Sequence, residues 1–385
     1  MTHAAARHFG LDWLRIAAFG LLIAYHVAMV FAPWPWVVKW PQTYEALVVP
    51  MALLTPWRLP LLFAVSGFAS RRLLDRSPSL EQFVRERSMR LLVPLAFGML
   101  VLLPPELWVR AKLAGDPMSL PRYWFSEYWD PSPAYGIAFP AWEHLWFVVY
   151  LWTYTMLLGA LVAWRGAAPV QALAERVASG GRMLWLPIAL LGTAKLALMF
   201  VVPETHGLTR DWSGHAEYVP FFLFGFALGG SASLWRSIRE RAAMALPLAL
   251  AAGSVVAAME LAFPGAQQPP HLLAALERLA QVAMAWAMLI VLLAAADRWL
   301  NRDHRWRARL AEAVFPAYLI HHPVLVVSAW LLRPSGLPTP LAFAMLLAIV
   351  AAACAGFYLL ARQTPWLAPL AGLSRPRGPK VARVA

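Results

Sequence analysis

Apolar residues along this chain fall in long blocks separated by short polar or basic segments. A helix needs about 20 mostly apolar residues to cross the hydrocarbon core of a bilayer. By that measure spans lie near 11–33, 50–70, 91–111, 142–164 and 184–202, and further spans near 216–231, 244–263, 273–296, 310–332 and 340–361. The sixth is short, and its PFFLFGFALGG run reads as a broken or tilted span. The predicted fold class is therefore an all-α integral membrane protein of about ten transmembrane helices. Residues 1–361 read as one polytopic membrane domain, and 362–385 as a basic tail, Pro- and Arg-rich and disordered on the cytoplasmic side.

Composition agrees: 61% of the 385 residues are hydrophobic, 14% are charged, and there are 20 tryptophans. That balance belongs to a helical membrane protein. The net charge of +13 raises the question of a nucleic-acid partner, and its placement answers it. Alternate loops and the two termini hold 23 Lys and Arg, while the intervening loops hold six: Lys39, Arg110, Lys112, Arg122, Arg210 and Arg333. This is the positive-inside asymmetry, which puts both termini in the cytoplasm and leaves no role for nucleic acid. The first apolar block is too long for a signal-peptide core and lacks a small-residue cleavage site, so it reads as a retained span. Cys354 is the single cysteine, which excludes disulfides and cysteine-based metal sites. The longest connection, 112–141, is rich in Trp, Tyr and Pro and suits either sugar faces or the bilayer interface.

Ionisable residues inside the spans carry the chemistry, because at such depth they face a cavity or a partner. Arg15 and His26 are eleven residues apart, three turns plus 20°, so they project from one face of the first helix about 16 Å apart. Arg15 lies near a helix end, where an arginine can also snorkel to the interface. His26 lies deeper and is the stronger functional candidate. Arg58, between Pro56 and Pro60, is too deep to snorkel; it pairs with a carboxylate or binds an anionic group of substrate. Ser66 and Gly67 form a small pair suited to close helix packing. Arg85, Arg87 and Arg90 stand at the cytoplasmic start of the third span, where arginines serve phosphate binding or plain topological charge.

Further polar groups lie at Glu143 and His144 on the rim of the fourth span, Lys195 in the fifth, and His321 and His322 in the ninth. A metal is conceivable with the histidines, but there is no i,i+4 His pair and no HExxH motif. Hydrogen bonding and acid–base work account for these residues, and no metal is expected.

Arg15, ten intervening residues and His26, inside LDWLR…YH, resemble the first-span signature of the membrane acyltransferase-3 family. FAVSGF in the second span, RSMR at the third and YLIHHPVL in the ninth resemble its further motifs, in the same order. WRLPLLFAVSGF and HLWFVVYL look closest to the branch containing periplasmic-glucan succinyltransferases. The resemblance covers nearly the whole chain. It implies transfer of an acyl group from cytosolic acyl-CoA, acetyl-CoA or succinyl-CoA, to a hydroxyl of an extracytoplasmic glycan, lipid-linked sugar or related acceptor. It implies that His26 is catalytic, that Arg15 belongs to the same site, and that Arg87 and Arg90 hold CoA, with Arg85 and Ser66 as further donor-side candidates. Glu143, His144, His321, His322 and Lys195 are the acceptor-side candidates. The implied location is the bacterial inner (plasma) membrane, among its lipids.

The chemistry fits. An alcohol needs a general base to attack a thioester at neutral pH, and an imidazole suits that task. A guanidinium, Arg15 or Arg58, would stabilise the oxyanion. Two routes are open: direct attack, preferred because it avoids a buried acyl-imidazole, and transfer through an acylated His26. The competing class is a transporter or flippase for a glycan or small anion, its path lined by the same charges. No clear inverted repeat supports it. Arg58→Ala is expected to harm activity more than Arg71→Ala, since Arg71 falls in a solvated loop.

Overall fold

The computed structural model describes residues 8–130, 141–198, 201–202, 205–265 and 267–374. Among these, about 80% of residues are helical and none is in a strand. The helices are α1 (Phe9–Phe31), α2 (Val48–Leu74), α3 (Leu80–Phe97), α4 (Leu103–Leu113), α5 (Leu120–Phe125), α6 (Trp146–Arg165) and α7 (Ala168–Val177). They continue with α8 (Arg182–Leu198), α9 (Trp212–Leu228), α10 (Ala232–Ala262), α11 (His271–Arg298), α12 (Arg307–Leu332), α13 (Thr339–Gln363) and the single turn α14 (Leu367–Leu370). Among the described residues, eight helical segments are long and apolar enough to cross a membrane, or nine if α7 and α8, bent by 100°, are one broken span. Helix α9 has 17 residues and runs unbroken through Pro220, so of the broken or tilted span that the sequence suggested, the break is not found.

The chain divides into two compact units. The first comprises Met1–Arg85 and Tyr150–Ala311 and contains α1, α2 and α7–α11. Its tightest seam is between α2 and α9. A Cβ on Gly67 would stand 1.9 Å from the Phe222 carbonyl oxygen, and one on Gly225 would stand 1.8 Å from that of Ala64. Only glycine lets the two backbones approach so closely, which is the packing role expected of the Ser66-Gly67 pair. Aromatic rings fill the same seam: Phe63 stacks on Tyr218, with centroids 4.8 Å apart. Lys39, in the loop after α1, donates to the Met29 carbonyl at 2.7 Å and to that of Ala32, covering carbonyls that the helix end leaves without partners. Burial pushes its ammonium down to about 8.

The second unit comprises Glu86–Val149 and Glu312–Ala385. Between α3 and α4 the helix widens into a π turn over Gly98–Leu102. The cause is local. Pro104 and Pro105 bring no N–H, and in the π register their positions would serve the Met99 and Leu100 carbonyls. Two aromatic residues of the following loop replace them: Tyr128 Oη donates to Met99, and Trp124 Nε1 donates to Leu100 at 3.1 Å. These aromatics therefore have a use that neither sugar binding nor the bilayer interface anticipates. Burial raises the Tyr128 phenol well above its usual range, followed by the nearby Tyr123, Glu106 and Glu143, so it stays a donor. Residues 131–140 of that loop lie outside the described residues.

The segment after α13, expected as the start of a disordered tail, turns back into α14. Leu367, Ala368, Ala371 and Leu373 pack there with Tyr358 and Ala361. Residues 375–385, the rest of the expected tail, lie outside the described residues.

Candidate functional site

In the first unit, Arg15 and His26 sit on α1 as the spacing requires, about 16 Å apart along a regular helix. Arg15 is held by local partners: its Nη2 donates to the Ala311 carbonyl at 2.8 Å and lies 3.9 Å from Asp12. Asp12 in turn accepts from the nearly buried Arg307, which also donates to Asp303 at 2.7 Å. This network ties α1 to the start of α12. His26, half-buried, stands about three turns further along α1 than Arg15, beside Tyr25, whose ring centroid is 6.1 Å from its own.

Tyr25 leads to Arg58. The guanidinium lies over the Tyr25 ring, 3.7 Å from its centroid, and the residue is only 6% exposed. Its Nε and Nη1 have no hydrogen-bond acceptor. Of the two roles expected for Arg58, pairing with a carboxylate is not found among the described residues. Instead Arg58 lines a cavity of about 280 Å³ together with Lys195, Ser213, Glu217, Arg278 and Gln281. Lys195, which the sequence could not pair, bonds Glu217 at 2.8 Å. The cavity thus holds three cationic side chains and one carboxylate, an arrangement that favours an anionic or oxyanionic guest. His26 is not among its lining residues.

The second unit gathers His144, His321, His322 and Glu143, and adds a residue the sequence reading passed over. Glu106, on α4 just past the two prolines, is fully buried. His322 Nδ1 approaches its Oε2 to 3.0 Å, and His144 Nδ1 lies 4.0 Å from the same oxygen. Arg110 stands 4.0 Å from Oε1 but is bonded to Glu143. Glu143 has φ +39°, left-handed and strained for a side chain of this type, where the chain enters α6. His144 Nε2 bonds the Leu319 carbonyl at 3.2 Å, and His321 Nδ1 bonds that of Tyr318 at 2.7 Å. Tyr318 returns its hydroxyl to the His144 carbonyl. Ligand atoms of Glu106, His144 and His322 all lie within 4.8 Å of one another, a spacing that one metal ion would fit. The signal was present in the sequence as a lone carboxylate within an apolar span, in LPPELW.

The remaining candidates are less enclosed. Arg85 and Arg90 are exposed on α3 and Arg87 is half-buried; Ser66 is half-buried on α2. Arg71 corrects one expectation. It lies in the last turn of α2 rather than in a solvated loop, 17% exposed, bonded to Asp75 at 2.8 Å and 3.5 Å from Gln171.

Fold and polar interior together define a polytopic helical membrane protein that keeps a cationic cavity in one unit and a His–carboxylate cluster in the other. Residues 8–361 match the model of a protein family described as an acyltransferase domain. The chain belongs to this acyltransferase-3 family and is a membrane acyltransferase. No curated protein and no solved structure matches it significantly.

Proposed function

We propose that this acyltransferase moves an acyl group from acyl-CoA, acetyl-CoA or succinyl-CoA, to a hydroxyl of an extracytoplasmic glycan or lipid-linked sugar, with His26 as the general base. The observation that carries the reading is the arrangement around Tyr25. His26 adjoins it on α1, Arg58 lies over its ring, and Arg58 lines a cavity with an excess of positive charge.

In the reaction, His26 takes the acceptor hydroxyl proton as the oxygen attacks the thioester carbonyl. The carbonyl oxygen becomes an oxyanion, which Arg58 stabilises. The C–S bond then breaks, and the CoA thiolate leaves with the proton carried by the imidazolium. Arg58 is preferred to Arg15 for the oxyanion because Arg15 stands about 16 Å along α1 from His26 and is engaged with Ala311 and Asp12. Arg15 is assigned to the donor side, where a guanidinium held by local partners suits a CoA phosphate; the Lys and Arg distribution puts Arg85, Arg87 and Arg90 on the same face of the membrane. This sidedness rests on the Lys and Arg distribution, which argues for cytoplasmic termini; a bacterial inner membrane is what the family resemblance implies.

Protein in liposomes, offered acyl-CoAs and envelope glycans, tests the proposal through CoA release and label transfer. The expected result is acceptor-dependent release that falls by about 10²–10⁴-fold in His26→Ala. CoA release that ignores acceptor concentration would replace direct attack with an acyl-His26 route. Folded protein that releases no CoA with any donor would shift the reading to transport.

A further inference from the structure

The cluster around Glu106 brings acceptor atoms together on its His144 side. A backbone carbonyl only accepts, so the bond from His144 Nε2 to Leu319 fixes the proton of the neutral ring on Nε2. Its Nδ1 then presents a lone pair, and that atom is buried without a hydrogen-bond partner. Facing it at 4.0 Å is a carboxylate oxygen of Glu106, and both Glu106 oxygens are buried without a hydrogen-bond partner. Two lone-pair donors turned toward each other in a site closed to water repel, unless a positive species lies between them. Arg110 does not supply it, since that guanidinium is bonded to Glu143. With Glu106, Glu143 and Arg110 ionised, the cluster carries one net negative charge, which only a charge on or between its imidazoles offsets.

We propose that Glu106, His144 and His322 form a binding site for one divalent transition-metal ion, Zn²⁺ in the first instance. The donor set is two imidazoles and one carboxylate, which suits zinc and its first-row neighbours rather than magnesium or calcium. Two imidazoles bound to one ion through nitrogens at about 2.0–2.1 Å place their ring centroids about 5 Å apart. Those of His144 and His322 are 4.9 Å apart, with planes 15° from parallel. The bond from the far nitrogen of His144 to a backbone carbonyl is the support that metal-bound histidines usually have. Three protein ligands leave a coordination position for water or substrate, as in catalytic zinc sites.

Two nearby distortions fit a built site. The π turn over Gly98–Leu102 lies one helical turn before Glu106 and sets its direction, and the strained Glu143 adjoins His144. The sequence reading set metal aside for want of a pair of histidines on one helix. The ligands instead come from α4, the turn that opens α6, and α12.

The test uses full-length purified protein in detergent, stripped with a chelator and then dialysed against Zn²⁺ or Co²⁺. Elemental analysis is expected to count about one ion per chain, and Co²⁺ to give the visible bands of a low-coordinate nitrogen–oxygen site. Glu106→Gln, which keeps the side-chain shape, and His322→Ala are each expected to weaken binding by at least about tenfold. His271→Ala, on an exposed helix end, is expected to leave the count unchanged. Zinc X-ray absorption on the wild type needs no variant and is expected to show two imidazoles among the ligands. Absence of uptake by folded protein overturns the proposal and assigns the offsetting charge to a proton. Uptake that survives both Glu106→Gln and His322→Ala also overturns it, as an ion held elsewhere. None of these readouts depends on the role of His26.

Discussion

The two units meet the same difficulty, charge enclosed away from water, with opposite solutions. In the first unit Arg58 is buried over an aromatic ring beside an open cavity, and the surplus is positive. In the second, a carboxylate, Glu106, is buried among imidazoles, and neither of its oxygens has a hydrogen-bond partner. An isolated buried charge is too costly to keep without a return. The first region is therefore built to receive an anion or a developing oxyanion, and the second to receive a cation. The contrast separates the two kinds of polar residue that a sequence shows alike, as ionisable letters within apolar spans.

The largest expected effect breaks the comparison on its cationic side. Arg58→Ala is expected to lower kcat/KM for acyl transfer by about 10²–10³-fold, the usual loss when an oxyanion donor is removed. Arg305→Ala, exposed on the loop before α12, is expected to change it little. Equal activity in the two variants would leave the cavity without a catalytic role. A smaller effect concerns stability. Lys195→Met removes the ammonium that Glu217 bonds and is expected to cost about 1.5–3 kcal/mol, read from thermal unfolding in detergent. Lys195→Met combined with Glu217→Leu is expected to recover much of that loss; a double variant worse than the single would mean Glu217 has another essential partner. The smallest effect is in the second unit. Tyr128→Phe leaves the Met99 carbonyl without its donor and is expected to cost about 1–2 kcal/mol. An unchanged unfolding temperature would show that the π turn holds without the loop.

Legibility in the sequence followed the range of the interaction. Long apolar blocks gave eight of the spans directly, because hydropathy and length are local properties. The two segments that fall short by themselves, α8 and α9, are helices of 17 residues each. The Ser66-Gly67 seam was readable from the small residues of FAVSGF, but its counterpart at Gly225 was not, since nothing local says which helix approaches. The polar residues were legible as a set and not as pairs. Arg15 with Asp12 is one turn apart and could be read, whereas Asp12 with Arg307 and Lys195 with Glu217 depend on how helices meet. Glu106 was missed although its place in an apolar span marked it, because its partners His144 and His322 are distant in the chain and come from other elements. Asp211 was missed too. It caps α9 through the Gly214 N–H at 3.0 Å and accepts from Tyr150 at 2.7 Å, a partner 61 residues away.

The glycine seam between α2 and α9 has a mechanical meaning. Where two helices touch through side chains, a change of rotamer absorbs a small displacement; where they touch through backbone, there is nothing to rotate. Arg58 on one helix and Glu217 on the other are thus bolted to a common strut. The wall opposite is different in kind: α8, which meets α7 at a 100° elbow, reaches the cavity only through the side chains of Leu191 and Lys195.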